Sequence, residues 1–182
     1  MSLGILPELK RKLEFRQPAV EQTKLAGVSV IIDKRPEPRM FLIKRAERQG
    51  DPWSGQVAFP GGKMKEGDRT ARQTAVRETI EEAGVDLARH ADFLGYFGSF
   101  RTHTGNMEVI PSVFHLKGEV KVMPNEEVSS YRWVGLDEFL APRSRSTYRV
   151  EADGVALNVP AYALGDYVVW GLTQRIISSL LG

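Results

Sequence analysis

The sequence predicts an α+β domain, layered as an α/β/α sandwich around a mixed sheet. Apolar and β-branched runs of strand length recur along most of the chain. Helix-period patterns fall near the middle and the end, and Gly and Pro punctuate the intervals. A doubly wound parallel sheet needs a crossover helix between most strands, which this order does not supply.

Taken in order, residues 4–15, GILPELKRKLEF, place Ile5, Leu9 and Leu13 four apart with Leu6 beside them. That spacing predicts a short amphipathic helix on the domain edge, inside an N-terminal segment 1–20. LAGVSVIIDK (25–34) and MFLIKRA (40–46) read as paired strands, with the prolines of RPEP favouring the turn between them. GQVAF (55–59) reads as a third strand that ends in a tight turn at Pro60, Gly61 and Gly62, where backbone can approach a ligand. Asp68 or Thr70 suits the N-cap of a helix over 71–83, and Gly84 suits its stop. DFLGYFGSF, MEVIPSVFHLK and VSSYRWVG read as strands joined by turns at RTHTGN and MPNEE. Pro111 weakens the middle one or places it at a sheet edge. LDEFL reads as a short helix and APRSRSTYRVEADG (141–154) as a basic loop. DYVVWGLTQRIISSLL (166–181) reads as a closing helix with Val169, Leu172, Ile176 and Leu180 in one stripe and Trp170 and Gly171 in its interior.

A length of 182 residues suits one domain spanning 1–182. With 42% apolar and 26% charged residues the chain has a globular rather than a disordered composition. A net charge of +2 supplies no global field for nucleic acid or an anionic membrane. The absence of Cys rules out disulfides and thiolate zinc sites. No apolar run is long enough to span a bilayer, and MSLGILPELKRKLEF lacks a signal-peptide pattern. The expectation is a soluble, cytoplasmic protein.

The segment GQVAFPGGKMKEGDRTARQTAVRETIEEAGV (55–85) carries the chemistry. At about 100° per residue, Glu78, Glu81 and Glu82 share one face of the helix over 71–83. Ala71, Ala75, Val76, Thr79, Ile80 and Ala83 take the other half, which reads as the side under a sheet. Arg77 stands beside the acids and is suited to orient one of them. Like charges four apart cost an isolated helix roughly 0.2–0.5 kcal/mol per pair, so the cluster works against its own helix unless cations offset it. Converging carboxylates suit hard divalent ions, Mg²⁺ or Mn²⁺. The glycines upstream bring backbone and Lys63 within reach of phosphate oxygens, which points to metal-assisted phosphoryl chemistry. His90, His103 and His115 lack ligand spacing and read as structural.

This stretch resembles the signature of the Nudix hydrolases: a glycine, an acid, then R-E-x-x-E-E-x-G and an apolar residue. Here these are Gly62, Asp68, RETIEEAG and Val85, a box at 61–85. Asp68 in place of Glu, and a gap to Arg77 one residue longer than usual, are similar to the coenzyme A pyrophosphatase subgroup. FLIKRAERQGDPWSGQVAFPGG, TGNMEVIPSV and VVWGLTQRII also resemble segments of that subgroup. The likeness runs from about residue 25 to the end and leaves the N-terminal helix outside.

The resemblance implies an α/β/α sandwich and Mg²⁺- or Mn²⁺-dependent cleavage of CoA or acyl-CoA to 3′,5′-ADP and 4′-phosphopantetheine derivatives. Relatives acting on ADP-ribose, a dinucleotide or a nucleoside triphosphate share the same box, and a nucleotide-sensing module without turnover is the reading from another class. Carried over onto matching positions, Glu78 and Glu82 bind metal, with Glu81 and Asp68 nearby and a carbonyl of Gly61 or Gly62 contributing. The general base is Glu78 or Glu127. Arg45, Arg48 and Lys44 are candidates for substrate phosphates, and Phe59 and Trp53 for stacking on adenine, with packing as their alternative. Arg143, Arg145 and Arg149 read as a mobile basic surface. Many members pair as homodimers, although no apolar stripe in this sequence demands it.

Overall fold

Residues 25–33 carry apolar side chains on both faces, so the strand they form needs cover on both sides. In the computed structural model, which describes residues 5–20, 24–50, 53–152 and 154–182, this strand lies at the centre of an eight-stranded mixed sheet. It is β1 (Leu25–Asp33), joined by β2 (Arg39–Arg45), β3 (Val57–Ala58), β4 (Gly61–Lys63), β5 (Ala91–Tyr96), β6 (Phe100–Arg101), β7 (Glu108–Leu116) and β8 (Val128–Gly135). β1 and β7 run parallel, from Leu25 opposite Glu108 to Ile32 opposite His115. The other pairs in this sheet are antiparallel.

β1 and β2 pair only beside their connecting turn, Ile32 with Met40 and Asp33 with Arg39. Beyond that point β4 lies along β1, with Gly62 opposite Gly27, and β3 lies along β2, with Ala58 opposite Ile43. Gly61 and Gly62 therefore form a short strand inside the sheet, not the tight turn expected of them. Their missing side chains permit it: a Cβ on Gly61 would come within 2.5 Å of the Gly27 carbonyl oxygen.

One face of the sheet is covered by α2 (Ala71–Ala83). Thr70 is its N-cap, accepting from the Gln73 N–H at 3.2 Å, and Gly84 closes it in the left-handed conformation at φ 68°. Ile31, Phe41, Ile43, Phe114 and Leu116 pack on this side with Ala75 and Ala83. A one-turn helix that the sequence reading missed, α3 (Leu87–His90), follows with Asp86 as its cap.

The alternate residues Val30, Ile32, Met40, Leu42 and Val113 face the other way. They are covered by α4 (Leu136–Leu140), α5 (Gly171–Leu181) and a second sheet of β9 (Arg145–Ala152), β10 (Val155–Leu164) and β11 (Tyr167–Trp170), ordered β11-β10-β9. α1 (Ile5–Arg11) adds Leu9, buried in the same cluster. The Ile5 and Leu6 side chains lie outside the described residues, and Leu13 packs partly buried against the cluster.

Several expectations need correction. The basic loop at 141–154 is a 3₁₀ turn (Pro142–Ser144) followed by β9, and Asp153 lies outside the described residues. The closing helix begins at Gly171, because Tyr167–Trp170 pairs with β10, so Val169 is a buried strand residue. Trp170 caps that helix and Gly171 opens it at φ 65°, so neither is interior. The run at 92–100 is divided between β5 and β6. Pro111 is not at an edge. Its strand runs between β1 and β5, and the Phe97 N–H donates to the Pro111 carbonyl at 2.9 Å. The N–H that proline lacks would point to that same side, in the interval between β5 and β6 where no strand asks for it. Among the described residues no helix is long and apolar enough to cross a membrane.

Candidate functional site

α2 lies on the sheet through small side chains, and that decides which of its faces is buried. A Cβ on Gly27 would run into the Ala71 carbonyl, so β1 and the start of α2 approach as closely as glycine allows. Ser29 Oγ donates to the Ala75 carbonyl at 3.0 Å and lies 2.8 Å from Thr79 Oγ1. The covered face is Ala71, Thr74, Ala75, Glu78, Thr79, Glu82 and Ala83. The sequence reading put Val76 and Ile80 on it and Glu78 and Glu82 opposite. In fact Ile80 is 45% exposed, while Glu78 and Glu82 are 9% and 3% exposed. Periodicity failed here because the helix is held by methyl and hydroxyl groups at close range, leaving Ile80 outside and Val76 only partly buried.

The buried pair of carboxylates abuts the glycine strand. The Gly61 N–H donates to Glu82 Oε2 at 2.9 Å. A Cβ on Gly62 would lie 2.6 Å from Glu78 Oε1, so Gly62 leaves the space that this carboxylate occupies. Burial pushes the Glu82 carboxyl up to about 7; the Gly61 N–H opposes the rise, the Glu78 charge adds to it, Arg45 opposes and Glu127 adds. Arg45 approaches Glu82 Oε1 to 4.0 Å.

Arg77 ties the rim together. Its guanidinium donates to Asp68 Oδ2 at 2.8 Å, Glu78 Oε1 at 2.6 Å, Glu81 Oε1 at 3.2 Å and the Lys63 carbonyl at 3.2 Å. The Arg77 bond holds the Asp68 carboxyl down to about 2, against the opposing effect of burial. Asp68 also accepts from Thr74 Oγ1 at 3.0 Å and from the Lys65 N–H at 3.1 Å, so it anchors the loop before α2. Lys65, which the sequence reading passed over, sets its ammonium 3.5 Å from Glu81 Oε2 and 3.9 Å from Glu78 Oε1. Lys63 itself is exposed and contributes its carbonyl.

Glu127 comes from the segment before β8. The Met123 and Asn125 N–H groups donate to the Ala83 and Glu82 carbonyls at 2.8 and 3.2 Å, fixing the segment before β8 onto the end of α2. The Ala46 N–H donates to the Glu127 carbonyl at 2.8 Å, and Arg48 reaches Glu127 Oε1 at 3.6 Å and Glu126 Oε1 at 3.8 Å. Arg48 thus meets acids rather than open space for a phosphate. Phe59 is buried in the core, which favours packing over stacking, whereas Trp53 is exposed. A separate cavity of about 680 Å³ follows the outward side of α2 along Val76, Ile80 and Tyr96 and shares only Arg77 and Glu81 with the acidic cluster.

Among the described residues no three Asp, Glu or His side chains converge closely enough to hold an ion unaided. The donor chemistry nevertheless fits a hard divalent cation: Glu78 and Glu82 are buried side by side, with Glu81 at the rim and glycine backbone alongside. Mg²⁺ commonly takes one or two carboxylates and completes its shell with water and substrate phosphate.

The geometry agrees with what known proteins show. The family described as NUDIX domain matches residues 23–151. A Yersinia pestis protein described as an uncharacterized Nudix hydrolase, NudL, is 31% identical over 156 residues, 85% of this chain and 77% of that protein. An uncharacterized protein of Schizosaccharomyces pombe is 35% identical over 124 residues, 63% of this chain, and the match spans only 37% of that longer protein. Among solved structures, the MutT/nudix family protein of Enterococcus faecalis is similar at TM-score 0.58 and 21% identity, covering 97% of this chain and 67% of that one. A C. elegans Ap4A hydrolase is similar at TM-score 0.52 and 20% identity over 62% of this chain and 80% of that one. At these identities the structural likeness speaks for the fold.

Proposed function

The chain belongs to the NUDIX domain family, and from that premise we propose that it hydrolyses the diphosphate of CoA or acyl-CoA to 3′,5′-ADP and 4′-phosphopantetheine derivatives. The observation that carries the hydrolase reading is the buried Glu78 and Glu82 pair against Gly61 and Gly62, braced by Arg77. Arg77 offsets the Glu78 charge, whereas buried Glu82 has Arg45 only at 4.0 Å, and a bound cation would offset the charge that remains. The coenzyme A reading rests on the segment FLIKRAERQGDPWSGQVAFPGG and the Asp68 spacing.

Glu78 and Glu82, with Glu81 at the rim, would hold Mg²⁺ or Mn²⁺, and a bound ion would polarise the diphosphate and lower the pKa of an attacking water. Arg77 holds Glu78 and Glu81 in place and, through Asp68, fixes the loop that carries Lys63 and Lys65. The Gly61 N–H fixes Glu82 Oε2 and leaves its other oxygen 4.0 Å from Arg45. Of the two candidates for the base, we favour Glu127. A Glu78 oxygen is engaged by Arg77 at 2.6 Å, whereas Glu127 keeps 46% of its side chain open and meets Arg48 only at 3.6 Å. A proton taken from water at Glu127 therefore has an exit to solvent. Arg45, which ends β2 at 4.0 Å from Glu82 Oε1, is the cation of that strand proposed for a substrate phosphate.

The test is a substrate panel of CoA, acetyl-CoA, ADP-ribose, a diadenosine polyphosphate and a nucleoside triphosphate, each with Mg²⁺ or Mn²⁺, ranked by kcat/KM, with Glu82→Gln as control. Highest kcat/KM on CoA or acetyl-CoA with release of 3′,5′-ADP is the expected result. A higher value on a substrate lacking the pantetheine arm removes the coenzyme A assignment and keeps the hydrolase. Binding without product from any of them removes both.

A further inference from the structure

The second sheet ends in a strand with an open side. β9 pairs with β10 from Arg145 opposite Tyr162 to Ala152 opposite Val155, and among the described residues no strand pairs with its outer edge. Cross-strand partners share a face. One face of this ribbon is apolar: Tyr148 with Val159, Val150 with Leu157, and Val155. The other carries Arg145, Thr147, Arg149 and Glu151. Tyr148, Leu157 and Val155 are 39%, 43% and 56% exposed, so the apolar face looks outward. Trp170 stacks on Tyr148 at 4.9 Å between ring centroids.

An eight-residue edge of unpaired N–H and C=O groups is a template for another strand unless charge forbids it. The charges on β9 and the length of strand each register pairs together favour one partner of its own kind. We propose that two copies of the chain join β9 to β9, antiparallel about a two-fold axis at Tyr148, extending the two three-stranded sheets into one of six. In that register Arg145 lies opposite Glu151 of the second copy, and the two-fold repeats the pair. Ser146 lies opposite Val150, Thr147 opposite Arg149, and Tyr148 opposite its own equivalent. All of Arg145 to Glu151 is paired, each apolar residue stays on the apolar side, and each Tyr148 ring gains the other as a neighbour. A shift to centre the axis on Thr147 sets Arg145 against Arg149, and an axis at Arg149 sets that residue against itself. Both place like charges in contact, and an axis at Val150 sets Arg149 against Glu151 but pairs only Tyr148 to Ala152 of the strand. A self-complementary patch of this kind is what a two-fold interface requires.

Sedimentation velocity on the full chain tests it, together with Arg145→Glu, Glu151→Arg and the double exchange. Wild type is expected to be a dimer. Each single exchange sets two like-charge pairs across the axis and is expected to weaken it by at least about tenfold, and the double exchange is expected to restore it. Within one strand these two positions are six residues, about 20 Å, apart, so rescue arises only between copies. The register has its own readout because the chain contains no cysteine. Tyr148→Cys is expected to give a covalent dimer under mild oxidation, and Arg145→Cys is not. A monomeric wild type, a dimer indifferent to the single exchanges, or cross-linking at position 145 in place of 148 overturns the proposal.

Discussion

Adding one methyl group to either of two glycines separates the chemistry of this site from its construction. At Gly62 the new Cβ would meet the Glu78 carboxylate at 2.6 Å, the far end of a flexible side chain that can swing away. At Gly27 it would meet the Ala71 carbonyl, which moves only if α2 moves. Gly62→Ala should therefore lower kcat at least about tenfold while leaving stability within about 1 kcal/mol, since it misplaces a carboxylate of the proposed metal site more than it overpacks a core. Gly27→Ala should cost about 2 kcal/mol or more in urea unfolding. Loss of stability and turnover together at Gly62 would show that the glycine serves packing alone. Arg77, Glu78, Glu81, Glu82 and Asp68 were legible in sequence because their spacing is local to one helix and its loop. Which face of that helix is buried was not, since it depends on Gly27, Ser29 and Ser112 of two strands far away in the chain, where larger residues would push α2 off.

The hairpin of β1 and β2 shows how one buried acid governs an element. Asp33 is 2% exposed at the end of β1 and accepts from Arg39 Nη2 at 2.9 Å and Arg35 Nε at 3.0 Å across the turn. Burial alone would raise its carboxyl, but the hydrogen bonds from Arg39 and Arg35 outweigh it and hold the group below its ordinary value. A carboxyl lowered in the folded state stabilises above the unfolded pKa of about 3.9 and loses that stabilisation as pH falls through its folded value. Asp33→Asn should cost about 1 kcal/mol at pH 7, a modest figure because both arginine heads reach solvent. The difference from wild type should shrink below about pH 4, and urea unfolding across pH 2–7 checks it. A difference that stays constant across that range would mean the carboxylate charge is not what pins the turn. The turn itself could be read from RPEP, and so could the two strands it joins. β9 was read as a loop because its arginines and glutamate mask an alternation, Tyr148 and Val150 against Thr147, Arg149 and Glu151, that only its pairing with β10 makes plain. β11 was absorbed into the closing helix for a related reason: Val169 continues the helical stripe by spacing alone, and only the Tyr162 partner across the sheet fixes it as a strand residue.

Across the whole molecule, the family match at 23–151 contains the acidic cluster and its sheet but omits much of what covers the sheet's second face. That cover comes from α5, β11, β10 and the N-terminal segment, which meet one another at the chain's two ends. Leu9 is 1% exposed in one core cluster with Ile176, Ile177 and Leu180. The Lys12 ammonium donates to the Leu180 carbonyl at 3.1 Å and the Ser179 carbonyl at 3.3 Å, a cation placed at the C-terminus of α5. Glu14 and Tyr96 exchange backbone hydrogen bonds at 3.0 and 2.7 Å, tying the segment to the edge of β5. The N-terminal segment is thus part of the core although it lies outside the family likeness. Leu9→Ala should cost about 2–4 kcal/mol in urea unfolding, as a large-to-small change in a close-packed site. Lys12→Ala should cost only about 0.3–1 kcal/mol, because its head is partly exposed. Turnover per folded molecule should be unchanged in both, since α2 and its carboxylates lie across the sheet from Leu9. If Leu9→Ala left stability within about 0.5 kcal/mol, the segment would be an appendage and the second face would be closed by α5 and the small sheet alone.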